Sequence, residues 1–153
     1  MIILSCITRP PVMKHAKHNN ECWYEIPVTI PDKFKNWVAE NIDPDALDDS
    51  DEHKEEPHIT VLYGFECKYY DEIAALVAEQ KFTPADFKWG EVTRGAKAPI
   101  YLVQIQSPKL QKLFAVLSSK YKNKHTLFDG KYDPHVTLCW VKEDKFYPLC
   151  AAV

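Results

Sequence analysis

Long apolar runs, glycine, closely paired cysteines and surplus positive charge are all scarce in this sequence of 153 residues, and each shortage removes a class of protein. The longest uninterrupted apolar stretch, Ile73 to Ala78, falls far short of the roughly 20 residues that cross a bilayer, so no spanning helix is expected. Met1 to Leu4 has no basic residue before it, and Arg9, Pro10 and Pro11 cut the apolar stretch short, so the start does not read as a secretory signal. With four glycines there is neither a collagen-like repeat nor a Gly/Ser linker. The five cysteines (Cys6, Cys22, Cys67, Cys139 and Cys150) are odd in number and contain no CxxC pair. They are read as reduced thiols of a soluble cytoplasmic protein, and a cysteine zinc site is not expected.

What is present is a globular balance, 46% apolar and 27% charged, sized for one domain with one core. The net charge of −3 is unevenly spread: eight acids and one lysine lie between Asp43 and Glu56. Outside that stretch 18 Lys and Arg face 14 acids, a body suited to a small anion but not to a long polynucleotide groove. The acidic stretch itself is expected to be a solvated loop.

Apolar periodicity reveals an internal repeat. A strand at Tyr24–Ile30 is followed by a helix from Pro31 to about Asn41, with Phe34, Trp37 and Val38 on one face, and by a β-rich run at Pro57–Tyr63. The same order returns as a strand at Ile100–Ile105, a helix opened by Ser107-Pro108 with Leu110, Leu113, Phe114 and Leu117, and a run at Pro134–Trp140 after a turn at Asp129-Gly130. Two β-α-β units, about 24–63 and 100–141, are therefore expected, with a helix at Tyr70–Lys81 and a strand or hairpin arm at Asp86–Lys97 between them.

Each unit ends in the same tetrad behind a proline, His58-Ile59-Thr60-Val61 and His135-Val136-Thr137-Leu138. About 0.3 His-x-Thr triplets are expected by chance in a chain of this composition, so two with matching flanks carry information. Strict alternation sets His58, Thr60 and Leu62 on one face and Ile59, Val61 and Tyr63 on the other. It likewise separates His135 and Thr137 from Val136, Leu138 and Trp140, so Tyr63 and Trp140 are assigned to the core. Two such strands across a cleft converge two imidazoles and two hydroxyls. One imidazole can take a proton from a nucleophile while the other donates one to a leaving oxygen, and hydroxyls can hold phosphoryl oxygens. A metal role for His58 and His135 lacks further ligands at helix or turn spacing. His15, His18, His53 and His125 stand in polar surroundings and are read as surface residues.

The paired motifs and repeated order resemble the 2H phosphoesterase superfamily over about Tyr24 to Val141. The resemblance implies an α+β fold, bilobal and pseudo-two-fold, with two antiparallel sheets around a central cleft and helices outside. It implies a phosphodiesterase without a metal or other cofactor, with His58, Thr60, His135 and Thr137 as its catalytic residues. Compact phage-encoded members degrade the cyclic oligonucleotide signals of bacterial immunity, so a cyclic di- or oligonucleotide is the first substrate expected. RNA ends bearing 2',3'-cyclic phosphates or 2'-5' linkages are the alternative, and an inactive nucleotide-binding module a second.

Base recognition needs aromatic faces. Trp89, beside Gly90, and Tyr132, three residues before His135, are the best placed, each equally readable as core packing. Trp23 and Tyr24 are weaker candidates, and Lys131 could meet a phosphate or stand solvated in its turn.

Overall fold

The computed structural model describes residues 14–15, 20–50 and 56–147. Cys6, Cys150, His18, His53, the first residues and the middle of the acidic stretch lie outside them. Strands β1 (Lys14–His15), β2 (Glu21–Pro27) and β3 (His58–Glu66) form one antiparallel sheet, and helix α1 (Asp32–Asn41) connects β2 to β3. The second sheet repeats the plan with β4 (Lys88–Arg94), β5 (Ile100–Gln106) and β6 (His135–Trp140), and α3 (Pro108–Lys120) connects β5 to β6. Helix α2 (Tyr70–Glu79) joins the halves, and α4 (Glu143–Phe146) comes after β6. The fold is α+β with two antiparallel sheets, as expected; β4 falls within the strand or hairpin arm expected at Asp86–Lys97, and β1 is the strand the sequence reading does not include.

The helices form where periodicity meets a capping signal. Ser107 accepts the Leu110 N–H at 3.2 Å and Pro108 occupies the first turn of α3, which buries Leu110, Leu113, Phe114 and Leu117 on one stripe. Helix α2 buries Ile73 and Val77, four residues apart. The packing exchanges partners: α3, of the second half, lies against β3, and α1, of the first half, lies against β6. One apolar cluster therefore runs through both halves, joining Ile59, Val61 and Leu62 to Leu110, Phe114 and Leu117. Strands β3 and β6, the last in their sheets, contact each other.

Two expectations fail here. Cys22 and Cys67 are not reduced thiols but a disulfide, with Cα atoms 5.1 Å apart. The cause is register: Glu21 pairs with Glu66, so the residue after β3 returns beside Cys22, and the Cys67 N–H donates to the Asn20 carbonyl at 3.0 Å. Nor is the described part of the acidic stretch simply solvated. Leu47 bridges Val141, the Asp48 N–H donates to the Trp140 carbonyl at 2.9 Å, and the Lys142 N–H donates to the Ala46 carbonyl at 2.8 Å. These bonds dock residues 46–48 onto the end of β6. No helix among the described residues is long and apolar enough to cross a membrane.

Candidate active site

Both motifs are held by the same local device. Each histidine stands behind an acid-Pro pair, Glu56-Pro57 and Asp133-Pro134, and the proline restricts the backbone so that the carbonyl two residues back reaches the ring. The His58 Nδ1–H donates to the Glu56 carbonyl at 2.8 Å, and the His135 Nδ1–H donates to the Asp133 carbonyl at 3.1 Å. Because a carbonyl only accepts, these bonds place a proton on Nδ1 of each ring and set Nε2 on the opposite side of the imidazole.

Strict alternation does not survive. In β3, Thr60 pairs with Glu25 and Leu62 with Tyr24, which leaves Val61 as an unpaired bulge; in β6, Thr137 pairs with Leu102 and Cys139 with Tyr101, which leaves Leu138. The bulge sits directly after the threonine in both motifs. It reverses the phase, so Leu62 is buried with Ile59 and Val61 while Tyr63 pairs with Trp23 and is exposed. Trp140 likewise pairs with Ile100 and lines a cavity with His58 and Thr137. The core assignment of Tyr63 and Trp140 is thus corrected: both sit beyond the threonines on the face that carries the motifs.

Two cavities flank the motifs. One, of about 280 Å³, lies between the halves and is lined by His58, Thr137, Trp140 and three acids, Asp48, Asp49 and Glu56. The other, of about 370 Å³, opens beside His135. Among the described residues no three His, Cys, Asp or Glu side chains gather as a metal site.

The two halves are not electrostatically equivalent. Glu25, 4% exposed, places Oε2 3.5 Å from His58 Nδ1 and accepts the Trp23 indole N–H at 3.1 Å. By register its counterpart behind His135 is Leu102, an apolar residue. A buried carboxylate there stabilises any positive charge that forms on His58 and holds the ring in place. Sequence reading passes over Glu25, whose one signal is an acid in the middle of an apolar strand. It also sets His125 aside as a surface residue. Instead His125 packs edge-on against Phe114 and Tyr132 and lines the cavity that holds His135. Burial, with His135 as a second cause, holds the His125 imidazole below the usual histidine range.

The expected base-binding residues are mostly elsewhere. Tyr132 is a core residue: its ring stacks on Phe114 with centroids 4.2 Å apart, and its hydroxyl donates to the Thr60 carbonyl at 2.6 Å. Trp89 is partly buried against Phe34 of α1, ring centroids 5.6 Å apart, in the contact between helix and second sheet. Tyr24 is buried on the opposite face of β2, against Tyr70. Lys131 is exposed in the turn closed by the Phe128–Lys131 bridge and lines neither cavity beside the histidines. Trp23 alone of the five shares a face with His58 and Thr60, where its bond to Glu25 makes it a support for the carboxylate.

The 2'-5' RNA ligase superfamily matches residues 30–153, which include both motif strands and both connecting helices. The chain belongs to that superfamily. No curated protein and no solved structure matches it significantly. Membership in this superfamily of 2H phosphoesterases supports a phosphodiesterase or RNA-ligase-like enzyme, in keeping with two His-x-Thr strands in contact.

Proposed function

We propose that the protein hydrolyses a phosphodiester bond in a small nucleotide, with cyclic di- and oligonucleotide signals as the preferred substrates. The observation that carries this reading is the matched pair itself: two edge strands in contact, each presenting His and Thr ahead of the same bulge. One imidazole Nε2 removes the proton from the attacking water or ribose 2'-hydroxyl. The new P–O bond forms as the P–O bond to the leaving oxygen breaks, and the second imidazole protonates that oxygen. Thr60 and Thr137 hydroxyls hold the non-bridging oxygens, where charge builds up. Glu25 acts through His58 as a positioning residue.

Charge and shape favour a small substrate. The acids Asp48, Asp49 and Glu56 line the cavity between the halves, and they would repel a polyanion running through it. The family name favours a second reading, action on RNA 2',3'-cyclic phosphates or 2'-5' linkages. Incubation with cyclic dinucleotides, cyclic trinucleotides, 2',3'-cyclic mononucleotides and a short RNA ending in a 2',3'-cyclic phosphate, read by chromatography, tests both. The first reading expects a cyclic di- or trinucleotide to have the highest kcat/KM. A higher value for the RNA end would replace it with the second.

A further inference from the structure

Resting on the phosphodiesterase reading, we infer that the nucleoside next to the scissile phosphate seats in the cavity beside His135, its base against Phe128, and not in the acidic cavity beside His58. At about 370 Å³ this cavity falls in the range of small-molecule sites and adjoins one of the two proton-transfer groups. Its walls come from three places that the sequence leaves far apart. Strand β5 contributes Ile100 and Leu102, the turn after β4 contributes Ala96 to Ala98, and the segment before β6 contributes Leu127 and Phe128.

The chemistry of those walls matches a base. Apolar side chains suit its faces, and the Gln104 amide, which donates to the Asp133 carboxylate at 3.3 Å, offers donors and acceptors for its edge. His125 adds an imidazole to the lining, which partial burial, with His135 as a second cause, holds below the usual histidine range. Phe128 is 56% exposed and Leu127 37%, among the few large apolar side chains left in solvent, and both line this cavity. An uncovered aromatic beside a catalytic histidine is what a stacking platform looks like before its base arrives. The ionic contrast points the same way. Lys97, in the turn, brings positive charge to this side, whose one lining acid, Asp133, accepts from Gln104, whereas three acids line the cavity at His58. Arg94 is already engaged, its guanidinium 3.5 Å from the Phe146 ring centroid and donating to the Phe146 carbonyl. The phosphate-bearing flank of the substrate is thereby drawn to the His135 side.

The test is calorimetric binding of adenosine 2'-monophosphate to the intact protein and to Phe128→Ala, paired with kinetics on adenosine 2',3'-cyclic phosphate. Phe128 is exposed, so its removal leaves the fold intact. Loss of one stacking platform is expected to weaken binding and raise KM by about 5-fold to 100-fold with kcat within about 2-fold. Nuclear Overhauser contacts between the adenine protons and the Phe128 ring are expected as well. Unchanged affinity in Phe128→Ala, or adenine contacts to Trp140 in place of Phe128, overturns this subsite and leaves the phosphodiesterase reading intact. Failure of the parent protein to bind adenosine 2'-monophosphate while it cuts another nucleotide of the panel likewise overturns the subsite alone, and absence of turnover for every nucleotide in the panel overturns the two together.

Discussion

Tyr132→Phe separates a residue that ties the two halves together from one that binds substrate. The hydroxyl is buried, bonds to the Thr60 carbonyl at 2.6 Å across 72 residues of sequence, and is the side-chain link from the Asp129–Pro134 segment to β3. Burial, with Asp133 a smaller cause, pushes its pKa far up, so it remains a donor at any working pH. Deleting it removes one hydrogen bond and strands a backbone carbonyl, a cost of about 1–2 kcal/mol. With a urea m-value of about 2 kcal/mol/M the midpoint falls by about 0.5–1 M. Tyr132→Ala also discards the ring stacked on Phe114 and costs about 3–5 kcal/mol. Urea melts followed by far-ultraviolet circular dichroism give the midpoints, and KM for the best substrate of the panel is expected to stay within about 2-fold in Tyr132→Phe. An unchanged midpoint together with a 10-fold rise in KM would refute the assignment of Tyr132 to the core.

Reducing the Cys22–Cys67 disulfide, which spans a separation of 45 residues, restores unfolded-chain entropy worth about 4 kcal/mol. Dithiothreitol or Cys67→Ser is then expected to lower the melting temperature by about 10 °C, and identical melts with and without reductant would contradict the pairing. Glu25→Gln is expected to lower kcat about 10-fold with KM within about 2-fold, because the carboxylate acts through His58 and not on the substrate. A KM effect without a kcat effect would make Glu25 a binding residue.

The order of elements and the paired motifs are legible in the sequence because both rest on local information. Ser107-Pro108 announces a helix start, and the period of Leu110, Leu113, Phe114 and Leu117 announces its buried face. The features that stay hidden there depend on register. The bulges at Val61 and Leu138 fall on ordinary apolar residues with no local signature, yet they decide that Tyr63 and Trp140 join the histidines' face. The disulfide depends on the same β2–β3 register, since residues 22 and 67 meet only once Glu21 opposes Glu66. Tyr132 and Trp89 are ambiguous for a different reason: an aromatic beside a motif fills a core as readily as it stacks a base, and only the exchange of helices α1 and α3 between halves shows where each ring goes. Glu25 and His125 become visible when the fold places one behind His58 and the other in the cavity with His135.

The most direct test of the two-histidine account is kcat/KM of His58→Ala, His135→Ala and the double variant on the best substrate of the panel, each first shown to melt like the parent. Both imidazoles moving protons in one reaction predicts a loss of about 10²-fold or more in each single variant, and a double variant that loses much less than the product of the two. A single variant that keeps more than about half of the parent's activity would contradict it.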